Sequence, residues 1–465
     1  MFNSEKWLEL EDRLIESLYG KIHLLQPQEQ KIRIVEDGLK DLLSHDDSGY
    51  FKKEMEVLDV QEHRDKFVRE FLSYGLIKDL LSDFNVEDII INSLSPIYIH
   101  HSERGLVSTH KSFQSKEEID VFVKKLILMS GRRKWENVMD LELPNLEGRI
   151  NVIRSPFGPQ LTITKAKSSP LSVLQLIERR ALNYEVAAQL WVYLEGMSIR
   201  PANIIIAGGP GVGKTTLLNA LLCFIPRKDR IVVMEDTLEL NTDFEESCSR
   251  LESGDGLTLA DLVKNSLRMR PERIIVGEVR GEEARDMITA VNIGKYCIGT
   301  IHALTSREAI MRLQNEPMNI PQELVRLIDV FVVLKRYHVG GRVTRVVDEV
   351  SETSGMEQEK VLLSHIYKYD YETDTIRSLS TSTVYRDRLA REAGLVPKDI
   401  ILEVQLRALL LKELHDRGHV TAKEVTEFCH AYSENPDKAV ESLGLSRDDL
   451  LGAEYMKERR QRFAH

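Results

Sequence analysis

A chain of 465 residues is too long for one compact core, and length alone implies about three domains. Its 42% hydrophobic and 29% charged residues suit a soluble globular protein. A net charge of −11 gives no general attraction for phosphate backbones, so composition does not favour a nucleic-acid track.

The first residues, MFNSEKWLELEDRL, mix acidic and basic side chains among the apolar positions. They lack the basic start and continuous apolar stretch of a secretory signal and predict an amphipathic helix. Residues 1–60 read as a mostly helical lead with a turn-like SHDDSGY at 44–50. Over 61–166 the pattern predicts an α+β domain, with a helix around FVREFLSYGLIKDLL followed by β-rich runs such as DIIIN, PIYIHH and RINVI. No apolar stretch approaches the roughly 20 residues that span a bilayer, since Lys124 and Lys125 interrupt VFVKKLILM. Membrane association is therefore expected only through a partner.

The polar segment KAKSSPLS at 165–172 holds Pro170 and is the expected hinge into the next domain. Over 173–350 the β-rich runs NIIIAGG, RIVVMED, RIIVGEV and YCIGTIHA alternate with helical segments at 215–224, 259–268, 281–293 and 306–315. That alternation implies a largely parallel α/β sheet with helices on both faces and ligands at the carboxyl ends of its strands. Beyond Val350 comes one more β-like stretch, VLLSHIYKYD, and then helices. Ile401, Val404, Ala408 and Leu411 recur at helical spacing and AKEVTEFCHAY is amphipathic, so 351–465 reads as an α-helical carboxyl-terminal domain. The basic KERRQR at 457–462 reads as a solvated helix end. Cys223, Cys248, Cys297 and Cys429 are scattered singly with no CxxC pair, which excludes the usual zinc spacings and a disulfide framework and fits a reducing cytoplasm.

The most specific local signal is Gly208-Gly209-Pro210-Gly211-Val212-Gly213-Lys214-Thr215, a GxxxxGK[ST] phosphate loop with Thr216 following. A β-run precedes it and a helix-like TTLLNALLCF follows, the context in which glycines let backbone N–H groups curl around phosphates at a helix amino terminus. In that setting Lys214 reaches the β- and γ-phosphates of ATP and the Thr215 hydroxyl holds Mg2+. Glu235 and Asp236 close RIVVMED, and Glu278 closes RIIVGEV. Carboxylates at strand ends beside a phosphate loop can order the metal's waters or align the attacking water. Taken singly, an acidic residue ending a strand is more often a helix cap or a solvated charge, but two such strand ends in one sheet with a phosphate loop favour function. His302, ending GTIHAL, is by itself a packing histidine.

Taken together, GGPGVGKTT, RIVVMEDTLEL, LRMRPERIIVGEVRGEEARD and GTIHALTSREAIMRL resemble, in order and spacing, the type II/IV secretion ATPase superfamily, which includes type IV pilus and archaellum motors. The resemblance covers roughly residues 61–350. It implies a RecA-like P-loop domain behind an α+β amino-terminal domain. Carried over residue by residue, Glu278 resembles the glutamate that positions water, and Glu235 and Asp236 the acids near the metal and γ-phosphate. His302 resembles the histidine that links the γ-phosphate to subunit motion. Arg149, with Arg154 second, resembles the basic residue that reaches a neighbouring subunit's nucleotide; a surface arginine on a strand pair explains either equally well. The archaeal branch is the nearest in kind, through VEDI before PIYIHH and the helical tail. The chain departs from the common pattern at Gly294-Lys295, at Thr164 before Lys165 and at Thr237, and it lacks the bacterial four-cysteine zinc module.

What the resemblance implies is a cytoplasmic Mg-dependent ATP hydrolase, a homo-hexamer driving an integral membrane platform protein, with no nucleic-acid partner. A nucleic-acid translocase would instead need a basic stripe with stacking aromatics. Intact Lys214, Thr215, Glu235 and Glu278, taken as a set, argue against a non-hydrolysing nucleotide-binding scaffold.

Overall fold

The computed structural model describes residues 5–447 and 450, apart from 24, 25, 47, 84, 103, 144, 145, 166–169, 243–246, 255, 340, 341, 359 and 381–383. The basic stretch at 457–462 and most of the expected hinge, 166–169, lie outside the described residues. The chain divides into two compact units, Met1–Ser168 and Ser169–His465.

The first unit opens with helices α1 (Glu5–Leu18), α2 (Gln28–Ser44), α3 (Lys52–Leu58), α4 (Gln61–Phe71) and the short α5 (Lys78–Ser82). Helical spacing puts Trp7, Leu10, Leu14, Ile15 and Leu18 on one face of α1. That face packs with Val35 and Leu39 of α2, Phe67 and Phe71 of α4, and Val121 and Leu128 of a later helix. The single helix expected around residues 67–81 is broken. The Ser73 hydroxyl donates to Glu70 O at 2.7 Å and accepts from Gly75 N–H at 3.2 Å, while Gly75 takes φ +49°. Local side-chain bonding plus a left-handed glycine ends α4 before Leu76 can continue it.

Strands β1 (Val86–Asn92), β2 (Tyr98–His101) and β3 (Gly105–Ser108) follow, then α6 (Lys116–Met129), then β4 (Val138–Leu143), β5 (Leu146–Ser155) and β6 (Gly158–Lys165). They form one antiparallel sheet in the order β3-β2-β1-β6-β5-β4. Strand alternation sends Ile89, Ile91, Ile150, Val152, Leu161 and Ile163 to one face, where α6 covers them with Ile119, Phe122, Val123 and Leu126.

In the second unit α7 (Val173–Glu178) and α8 (Tyr184–Glu195) precede β7 (Ile204–Gly208), α9 (Lys214–Leu221), β8 (Ile231–Glu235), β9 (Cys248–Glu252) and α10 (Leu259–Ser266). Next come β10 (Arg273–Val276), α11 (Glu283–Asn292), β11 (Tyr296–Ile301), α12 (Ser306–Gln314) and α13 (Gln322–Val325). The chain then runs through β12 (Val330–Val339), β13 (Arg342–Glu357), β14 (Lys360–Asp370) and β15 (Thr375–Ser378) to helices α14 (Val384–Glu392), α15 (Pro397–Asp416), α16 (Ala422–Glu434) and α17 (Pro436–Ser442).

The sheet order is β15-β14-β13-β12-β7-β11-β10-β8-β9, parallel from β12 to β9 and antiparallel from β12 to β15. Its central strands are apolar on both faces, as a sheet covered by helices on each side must be. Ile204, Ile206, Val233, Ile275 and Ile298 face one core, shared with α8, α9 and α15–α17. Ile205, Ala207, Val232, Ile274 and Ile301 face the other, shared with α10–α12. This is the doubly covered α/β sheet expected for a RecA-like domain. Val350 lies inside β13, and the strands around it extend the same sheet. The tail helices enter the core of this unit through Leu406, Leu410, Leu414, Val425 and Tyr432.

Among the described residues no helix is long and apolar enough to cross a membrane.

Candidate nucleotide site

Four adjacent strands of the second unit, β7, β11, β10 and β8, run parallel, so their carboxyl ends share one edge. At that edge the chain leaves β7 at the Gly208 loop, β11 at His302, β10 at Gly277-Glu278 and β8 at Glu235-Asp236. Segments spread over about a hundred residues of sequence are thereby aligned in space, as the open-sheet rule requires.

The loop itself is shaped by glycine. Gly211 and Gly213 take φ +66° and +95°. A Cβ on Gly208 would stand 2.6 Å from Val212 Cγ2 and 2.9 Å from the backbone oxygen of Leu334. Lys214 and Thr215 open α9, whose first N–H groups have no partner within the helix and point their positive end into the loop.

Lys214 is buried, and its ammonium donates to Gly208 O and Gly209 O, both at 3.1 Å, with His302 Nδ1 at 3.3 Å. Those three contacts match the three donors of an ammonium group. Burial lowers its pKa, opposed by the charges of Glu278 and Glu239. His302 Nε2 stands 2.9 Å from Glu278 Oε1. Burial and the Lys214 charge lower the His302 pKa, with Glu278 acting in the opposite sense. A neutral imidazole satisfies both contacts in one tautomer, with Nε2–H donating to Glu278 and Nδ1 accepting from Lys214. Lys214, His302 and Glu278 therefore form one connected array.

Glu278 is held by its neighbours' backbone: Gly277 N–H donates to Met234 O at 2.8 Å and Val279 N–H to Thr300 O at 2.7 Å. The Thr300 hydroxyl adds a bond to Gly277 O at 2.6 Å. Gly277 also makes room for Glu235, whose Cγ would meet a Cβ there at 2.8 Å.

The two acids after β8 differ. Glu235 is 3% exposed and its carboxylate accepts from the backbone N–H groups of Glu239 and Leu240 at 3.2 Å. Burial pushes its pKa up to about 7, against the lowering effect of those two bonds and of Arg250. Asp236 pairs with the Arg280 guanidinium and accepts from the Ser253 hydroxyl at 2.8 Å. Arg280 also stands 3.9 Å from Glu278 and is raised by its bond to Asp236. Arg280 stands outside the site residues expected from the sequence, and its place two residues after Glu278 was the available signal.

Thr215, Glu235 and Asp236 offer oxygen atoms alone, the hard donor set that magnesium takes alongside phosphate oxygens and water. Arg149 and Arg154 belong to the other unit. There Arg149 is exposed, 3.9 Å from Asp140, and Arg154 stacks at 4.6 Å on Trp135.

Comparison with known proteins adds to this geometry. Residues 129–335 match the model of a family described as type II/IV secretion system protein. The chain is 31% identical over 423 residues to an uncharacterized protein of Methanocaldococcus jannaschii, covering 85% of this chain and 75% of that one. It is 30% identical over 280 residues to the conjugal transfer protein TrbB of Rhizobium radiobacter, covering 57% and 84% respectively. The X-ray structure of the Legionella pneumophila ATPase DotB aligns with a TM-score of 0.45 at 17% identity, covering 76% of this chain and 94% of that one.

Proposed function

This chain belongs to the type II/IV secretion ATPase family, and from that premise we propose that it is a Mg2+-dependent ATP hydrolase working as a cytoplasmic homo-hexameric motor. The observation that carries the hydrolase reading is the Lys214–His302–Glu278 array at the mouth of the phosphate loop. A carboxylate in that place is beside the terminal phosphate of a nucleotide whose β- and γ-phosphates lie against Lys214.

In this reading Gly208 to Thr216 hold the phosphates with backbone N–H groups, and Lys214 neutralises charge on the transferred group. Glu278 aligns water for in-line attack and accepts its proton. His302 bridges Glu278 and Lys214, so that both respond together to the terminal phosphate. Thr215, Glu235 and Asp236 hold magnesium, which when bound neutralises charge on the phosphate oxygens. Products are ADP and phosphate.

Family membership supports the rest of the proposal. Arg149, or Arg154 in its place, reaches the nucleotide of a neighbouring subunit, so turnover couples around the ring. Hydrolysis around the ring is turned into motion of the subunits. The motion is delivered to an integral membrane platform protein of a pilus or archaellum-like machine, which brings the motor to the membrane's inner face.

The test is phosphate release from ATP by the purified chain, with magnesium and with chelator, beside Lys214→Ala. The proposal expects turnover that needs magnesium and is lost in Lys214→Ala. No turnover by the wild-type chain overturns it, and strong stimulation by single- or double-stranded DNA replaces the motor by a translocase.

A further inference from the structure

The His302 loop is only four residues long, from the end of β11 at Ile301 to the start of α12 at Ser306, so whatever fixes Ser306 also fixes His302. Ser306 has no solvent exposure, and its hydroxyl donates to the carboxylate of Glu349 on β13. The next residue, Arg307, donates to Val361 O on β14 at 2.8 Å. On the loop side, Leu304 N–H donates to Glu308 Oε2 at 2.8 Å and the Thr305 hydroxyl accepts from Glu308 N–H at 3.0 Å. The first turn of α12 is thus pinned to the antiparallel extension of the sheet.

Glu349 is 5% exposed and heavily compensated. The Ser351 hydroxyl donates to its Oε1 at 2.8 Å, Lys368 Nζ to its Oε2 at 3.3 Å, and His365 Nδ1 lies 3.5 Å from Oε1. Lys368 in turn binds Asp348 at 2.8 Å, where Lys335 also pairs at 2.9 Å. A buried ionic cluster of this kind is weak evidence for stability, because apolar side chains of similar volume commonly serve as well. What apolar side chains cannot supply is a directed acceptor for the Ser306 hydroxyl.

We infer that Ser306 and Glu349 are positioning residues for His302, setting the depth at which its imidazole stands between Glu278 and Lys214. The inference rests on the hydrolase reading of the same site. Neither residue touches the reacting atoms; both act through the short loop. Displacing a positioned group by about an ångström lowers the chemical rate while leaving phosphate binding by the loop intact.

The experiment compares wild type, Ser306→Ala and Glu349→Gln in steady-state ATP hydrolysis, in equilibrium binding of a fluorescent ATP analogue, and in thermal melting. Ser306→Ala is expected to lower kcat by on the order of tenfold to a hundredfold with Kd and KM within about twofold. Glu349→Gln still offers an amide oxygen to Ser306, and its kcat is expected within about threefold of wild type. Wild-type kcat in Ser306→Ala overturns the inference while leaving the hydrolase reading standing. So does a loss in which kcat, nucleotide affinity and melting temperature fall together, or a Glu349→Gln variant as impaired as Ser306→Ala. A wild-type chain without hydrolysis overturns both.

Discussion

Replacing Arg407 by alanine is the severest test of how the tail helices are joined to the sheet. Arg407 sits on α15 at 1% exposure, paired with Glu195 of α8 and with Glu403 at 3.1 Å, and stacked over Trp191 at 4.7 Å and Tyr432 at 5.2 Å. In the variant Glu403 keeps Arg447 at 2.9 Å and the Tyr432 hydroxyl at 2.6 Å. Glu195, 4% exposed, loses the cation that compensates it. Leaving one buried charge unpaired costs about 3–5 kcal/mol. In a unit of this size that lowers the melting temperature by roughly 10 °C. Calorimetry of the full chain measures it, and Arg407→Met combined with Glu195→Gln separates charge from packing, because no unpaired carboxylate remains. The double variant is expected to recover more than half of the loss. A single variant melting within about 2 °C of wild type, or a double variant as unstable as the single, refutes the reasoning.

Gly208→Ala must push both Val212 and the Leu334 carbonyl aside, and since the latter is β12 backbone it cannot yield cheaply. We expect a cost of about 1–3 kcal/mol and loss of nucleotide affinity, measured by melting and by titration with a fluorescent ATP analogue. Glu235 has a folded pKa of about 7 against an ordinary 4.5, so the folded chain favours its protonated form. Its contribution to stability is complete below pH 4.5 and is lost as pH rises through 7, an amount of about 3 kcal/mol. In metal-free buffer Glu235→Gln should therefore gain on wild type in urea melts between acidic and alkaline pH; a flat difference, or one of opposite sign, contradicts the burial argument.

The parallel core was legible because its signals are local. NIIIAGG, RIVVMED and RIIVGEV are apolar runs closed by glycine or acidic residues, YCIGTIHA is a β-rich run closed by His302, and the helices between them lie where expected. The antiparallel extension was less visible. β12 ends in LKRYHV and β13 carries Arg345, Asp348, Glu349 and Glu352, so charge masks the alternation until partner strands neutralise it. The break after Phe71 depends on a Ser73 hydroxyl choosing its own backbone over the helix, although the SYG triplet marks the place. At the site, chain order put Lys214, Glu278 and His302 at strand ends, but their contacts follow from strand order alone. β11 lies between β7 and β10 although it comes after both in sequence. Glu349 could not be found by pattern, since it lies 43 positions from its partner Ser306, outside the GTIHALTSREAIMRL stretch that holds the serine.

The measurement that bears most directly on the hydrolase account is single-turnover phosphate release by Glu278→Gln, with nucleotide binding followed in parallel. The variant keeps the shape of the side chain and its contact distance to His302, but it cannot take a proton from water. The account predicts wild-type affinity for Mg-ATP and release slowed by on the order of a hundredfold to ten-thousandfold. Release at the wild-type rate would contradict it, for the carboxylate of the array would then have no part in the chemistry.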